Sequence, residues 1–302
     1  MFGESPVERF DRLGEALEVE LLAKRDDLLP FPLAGNKFRK LSAELAQAET
    51  DGAVWISNGG VSSNHCRTLA LMAAQRGVGT HLVLHGQPSA DDPSLAMYAR
   101  LGASYDVVPP SDIASTIEAR ASQYAAAGLR PEVIPGGCHT RLGAISYRDA
   151  TRSVIASVRP DVIVVASGTG ATQGGIIAGA ETTAVSTRVI GVSVARSRAR
   201  GEGAVAEAAV WAGSERPRVE FTDEYVDGGY GVASSRTHAA VRLGWQHGLP
   251  LDPTYTGKAF AGLLGLVADG TVARGSRVLF WHTGGLWNAL LATHPSPEAG
   301  TS

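Results

Sequence analysis

Short apolar, β-branched runs alternate with amphipathic stretches almost from end to end of this 302-residue chain. The pattern predicts strands at Glu18–Lys24, Ala53–Ser57, Thr80–His85, Ser104–Val108, Glu132–Pro135, Asp161–Ala166, Arg188–Val194 and Arg277–Trp281. Helical periodicity predicts Leu41–Glu49, Asn64–Arg76, Pro93–Leu101, Ile113–Ala127 and Leu142–Val158 between them. Strands that are apolar throughout, such as Val162–Val165, are buried on both faces, and their alternation with helices reads as α/β: open parallel, Rossmann-like sheets covered by helices. No segment repeats with a period of about 20 to 50 residues, which speaks against a solenoid. No linker rich in Pro, Gly or Ser marks a boundary, so in a two-domain chain the backbone crosses between the domains more than once.

Composition narrows the class. A net charge of -3 and 44% hydrophobic content describe an ordinary globular protein and not a nucleic-acid binder. The one basic cluster, Arg196-Ser-Arg198-Ala-Arg200, reads as a solvated loop. The most apolar stretch, Val162 to Ala180, is interrupted by Ser, Thr, Gln and several Gly residues and is no membrane span. Met1-Phe2-Gly3-Glu4 opens no targeting segment, and a cytoplasmic protein is expected. Two cysteines, Cys66 and Cys138, make neither a disulfide framework nor a metal site.

Lysine usage adds chemistry. Of 27 basic residues only Lys24, Lys37, Lys40 and Lys258 are lysine. A guanidinium stays protonated and forms no Schiff base, so these four are the candidates for amine chemistry. Lys37 lies in Gly35-Asn36-Lys37-Phe38-Arg39-Lys40, where an apolar stretch gives way to a helix. That hexapeptide also suits an ordinary first turn at the surface.

Two strand–helix junctions are rich in small polar residues. Ala166-Ser167-Gly168-Thr169-Gly170-Ala171-Thr172 follows Val162–Val165, and its small residues let backbone N–H groups and a helix dipole meet an anion, although a plain tight turn would look the same. It lacks the lysine of a nucleoside-triphosphate loop. Ser57-Asn58-Gly59-Gly60-Val61-Ser62-Ser63-Asn64 follows Ala53–Ser57 as a Gly-Gly turn, with Ser63 and Asn64 at a helix start suited to a carboxylate. Asp227-Gly228-Gly229-Tyr230-Gly231, Asp252-Pro253-Thr254-Tyr255-Thr256-Gly257-Lys258 and His282-Thr283-Gly284-Gly285 add candidates that are weak singly.

Taken in order from about Pro6 to Gly285, these segments, with Lys24-Arg25-Asp26-Asp27 and Ile134-Pro135, resemble the fold-type II pyridoxal phosphate (PLP) enzymes. Within that group they are similar to the D-cysteine desulfhydrases and 1-aminocyclopropane-1-carboxylate (ACC) deaminases. The resemblance implies two lobes with PLP in the cleft: 1–44 with 145–302 as the large PLP-binding lobe, and 45–144 as a small inserted one. It implies that Lys37 holds PLP through its amine and then serves as base at the substrate α-carbon. Asn64 would bond the cofactor's phenolic oxygen, and Ser63 the substrate carboxylate. Gly168, Thr169, Gly170, Ala171 and Thr172 would hold the phosphate. Tyr230 and Tyr255 would flank the substrate, Thr256 would sit near the pyridine nitrogen, and His282 and Thr283 would close the far wall. A homodimer acting on a small amino acid, with no metal, nucleic acid or membrane, is implied as well.

The chain also departs from that pattern. Ser62 stands where Gln is usual, and Val232-Ala233-Ser234-Ser235-Arg236 replaces a Pro-Asn segment. Cys138-His139-Thr140-Arg141 replaces small residues, so that His139 and Arg141 either read a second substrate anion or face solvent. ACC deaminases carry an acidic residue after the tyrosine, where this chain has Thr256. The first expectation is α,β-elimination from a β-substituted amino acid of the D-cysteine kind. ACC deamination, β-replacement, and a fold that binds without turnover are the alternatives.

Overall fold

The computed structural model describes residues 4–89 and 91–292. Met1–Gly3, part of the stretch read for a targeting signal, lie outside the described residues. Among those residues the strands in chain order are β1 (Val7–Arg9), β2 (Glu20–Arg25), β3 (Ala53–Gly60), β4 (Gly79–His85) and β5 (Ser104–Val107). Then follow β6 (Arg130–Val133), β7 (Val162–Ser167), β8 (Arg188–Ser193), β9 (Glu220–Thr222) and β10 (Arg277–His282).

They form two sheets. Six strands run in the order β1-β2-β10-β7-β8-β9, and four in the order β5-β4-β3-β6. Every pairing is parallel except that of β1 with β2. All six residues of β7 are buried, as expected of a central strand covered on both faces. One face of the larger sheet packs Val164, Val192, Phe260 and Phe280, the other Ile163, Val165, Ile176 and Trp281. The smaller sheet has its own core around Trp55, Leu69, Leu82 and Tyr98.

The eight strands read from the sequence are present within a few residues of their expected ends. Two were missed, β1 and β9; each has three residues, too few to show alternation, and each is an edge strand made by pairing with a distant neighbour. The helix expected at Leu41–Glu49 runs Asn36–Glu44, because Phe38, Leu41 and Leu45 are its buried face, packed into the core of the smaller sheet, and Gly35 sets its start. The Gly59-Gly60 pair is not a turn. It continues β3, opposite Leu84 and His85. A Cβ on Gly59 would come within 3 Å of Ser63 Oγ and Cys66 Sγ, so glycine lets the following helix close over the strand end. No helix among the described residues is long and apolar enough to cross a membrane.

Candidate active site

The carboxyl ends of β3, β7 and β10 converge, and the loops that leave them line one cleft, the position where open parallel sheets bind ligands. Its inner part is narrow and walled by Lys37, Asn64, Ser167–Gly170, Thr172, Tyr255 and Thr283. An outer chamber of about 390 Å³ adds Gly59, Ser63, His65, His85, Arg196 and Tyr230. Lys37, Gly168, Thr169 and Tyr255 line both.

Lys37 is the second residue of the Asn36–Glu44 helix, whose start is pinned to the loop after β10 by Asn36 N–H donating to Thr283 O at 2.9 Å. Asn36 Nδ2 also donates to Thr172 Oγ1 at 3.2 Å, tying this helix to the glycine-rich loop. Burial, and then the neighbouring charge of Lys40, hold the Lys37 amine well below its usual pKa, which favours the free, nucleophilic form. The other three lysines spend their amines on main-chain carbonyls: Lys24 on Ser5, Lys40 on Gly137, and Lys258 on Val194, Val226 and Gly229.

The Ala171–Glu181 helix begins at Gly170 with no side-chain cap, which leaves its first N–H groups without a side-chain acceptor beside the cleft that Gly170 and Thr172 line. Gly170 has φ +103°, and a Cβ there would press against the Ala204 carbonyl at 2.8 Å, so glycine is required. The Ser167 hydroxyl is buried with no hydrogen-bond partner among the described residues. Free N–H groups, an orphan hydroxyl and the Thr172 hydroxyl make a fitting cradle for a phosphate, with Lys37 in the same narrow cleft.

Ser63 caps the Asn64–Arg76 helix, its Oγ accepting from Cys66 N–H at 3.4 Å. Asn64 accepts from Arg67 Nη2 through Oδ1 at 2.6 Å. Arginine can only donate, so that oxygen is identified and the Asn64 Nδ2 is left to donate elsewhere. His65 pairs with Ser57 Oγ at 2.8 Å, while Ser57 gives its one proton to Ile134 O at 2.7 Å. His65 Nε2 is therefore the donor and Nδ1 a bare acceptor. Burial, with Lys37 and Lys40 nearby, keeps this imidazole well below its usual pKa, hence neutral. Tyr230 and Tyr255 meet edge to face with their hydroxyls 2.6 Å apart. Burial, and then Tyr230, push the Tyr255 phenol well above its usual value, so it remains a proton donor.

Not every residue read from the sequence lies on the cleft. Thr256 is fully buried and absent from the walls; its hydroxyl donates to Asp252 Oδ1 at 2.8 Å. Asp252 also collects the N–H groups of Thr254, Tyr255 and Thr256, and Thr256 is thereby committed to the turn. Thr283 does line the inner cleft. His282 is turned behind it, donating from Nε2 to Pro250 O at 2.7 Å with Nδ1 3.0 Å from Asp27 Oδ1. His139 packs against Trp211 near Glu207, and Arg141 is exposed; neither lines the cleft. Arg196, read as part of a solvated loop, lines the outer chamber, whereas Arg198 and Arg200 are exposed.

The Asp27–His282 pair anchors the end of β10 and has a testable consequence. Burial alone would raise the Asp27 carboxyl, but His282 and Arg25 bring it from 3.8 to about 2. A depressed carboxyl contributes stability above its unfolded pKa and loses it as pH falls through the folded one. Stability worth about 2 kcal/mol is expected to disappear between about pH 4 and pH 2. Urea midpoints at pH 5 and pH 2.5 should show a smaller acid loss in Asp27→Asn than in wild type; equal losses would refute the assignment.

Residues 1–284 match the family described as pyridoxal-phosphate dependent enzyme. The chain is 32% identical to a D-cysteine desulfhydrase of Salmonella typhi over 311 aligned residues, covering 96% of this chain and 94% of that protein. It is 33% identical to the D-cysteine desulfhydrase of Yersinia pestis (strain Pestoides F), with the same coverage. A crystal structure of an ACC deaminase homologue superposes with a TM-score of 0.82 at 30% identity, over 94% of this chain and 90% of that one. Two open parallel sheets, a desolvated lysine between them and a glycine-rich anion cradle thus sit in a chain that matches its relatives nearly end to end: it belongs to the pyridoxal-phosphate dependent enzymes, of fold type II.

Proposed function

We propose that the protein catalyses α,β-elimination from a small β-substituted amino acid of the D-cysteine kind, yielding a 2-keto acid and ammonia. The observation that carries this reading is the outer chamber, in which Lys37, Ser63, Tyr230 and Tyr255 share one space. Bound in the inner cleft, PLP supplies an electron sink for the charge left at the α-carbon. Lys37 is the residue that would hold it, with Asn64 Nδ2 at its phenolic oxygen, Gly168–Thr172 at its phosphate and Thr283 on the wall beside its ring. Ser63 and the start of its helix orient the substrate carboxylate. Lys37 Nζ, kept uncharged by burial, takes the α-proton. The Tyr230–Tyr255 pair, both phenols pushed up by burial, keeps a proton to give to the departing β-substituent.

The two D-cysteine desulfhydrase relatives support the elimination reading over the alternatives. The division into 1–44 with 145–302 and 45–144 belongs to it, with the two lobes closing to exclude water from the reacting carbon. So does a homodimer, supported by a groove of about 920 Å³ in which Phe31, Phe38, Leu142 and Ile145 are joined by Glu4, Arg39, Arg76 and Asp149. A cytoplasmic location suits two buried, unpaired thiols, Cys66 and Cys138.

The test is release of keto acid and ammonia from D- and L-cysteine, β-chloroalanine, cysteate and ACC. Release from one or more β-substituted alanines is expected. Release from none would sink elimination and favour β-replacement.

A further inference from the structure

The outer chamber is electrostatically one-sided. Burial keeps Lys37 uncharged, so the chamber's permanently charged lining residue is Arg196, and among the described residues no Asp or Glu lines it. Arg196 is half-buried in the loop after β8 and, among the described residues, no carboxylate pairs with it. That sets it apart from Arg25, Arg188 and Arg277, each of which pairs with a Glu or Asp.

The loop that carries it is fixed. The fully buried Ser193 hydroxyl donates to Arg196 O at 2.7 Å and accepts from Arg196 N–H at 2.9 Å. The guanidinium donates from Nη1 to Thr169 O at 3.3 Å, which leaves most of its five N–H donors unspent. A partly desolvated guanidinium with unspent donors and no acid beside it is suited to be completed by an anion.

The cofactor phosphate is not that anion on this geometry. Arg196 reaches the carbonyl of the Thr169–Gly170 peptide, and the N–H of the same planar peptide points the opposite way. Arg196 therefore lies on the carbonyl side of the glycine-rich loop, while Gly170 and Thr172, at the helix start, line the inner cleft. It lines the outer chamber and is absent from the inner wall. The carboxylate of the substrate is also provided for, by Ser63 and its helix start.

We propose that Arg196 forms a subsite for a negatively charged β-substituent, so that the preferred substrates are amino acids carrying an oxyanion such as a sulfonate or sulfinate on the β-carbon. The inference rests on the elimination reading for turnover, but the subsite is a binding property and is tested separately. Arg196 is a specificity-determining residue here, holding the substituent while Lys37 and the tyrosines act. A guanidinium–oxyanion pair in a partly desolvated chamber gives a preference on the order of tenfold or more over an uncharged isostere.

Aspartate and asparagine are a charge-only pair with no leaving group. Calorimetric titration of the holoenzyme with both enantiomers of each should show aspartate binding about tenfold tighter or better. Arg196→Gln should erase that preference and Arg196→Lys should retain part of it, with unchanged thermal midpoint and PLP content. In turnover, the ratio of kcat/KM for cysteate to that for β-chloroalanine should fall about tenfold in Arg196→Gln. Equal binding of aspartate and asparagine to wild type would overturn the subsite. So would an Arg196→Gln variant that weakens both equally, or one that loses PLP, which would assign the guanidinium to the phosphate. If no substrate in either charge class releases keto acid, the elimination reading fails, while the aspartate–asparagine comparison still decides the subsite.

Discussion

Lys37→Ala is expected to abolish turnover, by on the order of 10⁴-fold or more, and to abolish covalent attachment of PLP while leaving the fold intact. Lys37 lies at the surface of the cleft in the first turn of its helix, so removing its side chain leaves no core cavity. Borohydride treatment of wild type should fix the cofactor to the peptide containing Lys37. The chain tests this cleanly because only Lys24, Lys40 and Lys258 could carry the label instead, and each has its amine hydrogen-bonded to main-chain carbonyls. Label on any of those three would overturn the assignment. Lys40 is the informative neighbour. It is fully buried, close enough to depress Lys37 and to hydrogen-bond with it, and its amine donates to Gly137 O. If it took over the chemistry in the Lys37→Ala variant, residual activity with label on Lys40 would appear.

The parts of this molecule legible in its sequence are those written by local periodicity. The Asn64–Arg76 helix is bounded by Ser63 as N-cap and Gly77 as a left-handed C-cap, two signals that sit in the chain itself. β7 is an unbroken apolar run because both its faces are covered. What was illegible depends on partners far along the chain. β9 exists because Glu220–Thr222 finds β8, and Gly59-Gly60 is strand because β4 pairs with it. Arg196 looked like its neighbours Arg198 and Arg200, since nothing local says that Ser193 folds the loop back and turns only the first of the three toward Thr169. The same limit applies to Thr256 and Thr283. Both are threonines beside candidate loops, and what separates them is Asp252, a buried carboxylate that gathers donors and takes the Thr256 hydroxyl with the rest.

ACC is expected to be processed at least about 100-fold less efficiently, in kcat/KM, than a β-substituted alanine such as D-cysteine or β-chloroalanine. The sequence suggests this through Thr256, which stands where the resemblance to ACC deaminases implies an acidic residue. The structure supports the outcome on a different ground, because Thr256 is spent on Asp252. Among the described residues no Asp or Glu lines the inner cleft: its polar walls are Asn36, Lys37, Asn64, Ser167, Thr169, Thr172, Gln173, Tyr255 and Thr283. A carboxylate against a pyridine nitrogen raises its pKa and keeps it protonated, the state that best withdraws electrons. Hydroxyls and amides do not do so, whichever wall the nitrogen faces. Asp252 is the nearest candidate to object, being fully buried beside Tyr255, but its oxygens already accept four donors from residues 254–256 and it lines neither part of the cleft. A weaker sink suffices where a good leaving group departs from the β-carbon, and falls short where a cyclopropane carbon–carbon bond must break. Comparable kcat/KM for ACC and the β-substituted alanines would show that ring protonation does not divide these reactions here. Thr283→Asp probes the same point from the other side. If the inner wall sets the sink, this variant should bind PLP with an altered absorption maximum and raise the ratio of ACC to β-chloroalanine turnover; an unchanged ratio in a variant with the shifted spectrum would refute the argument.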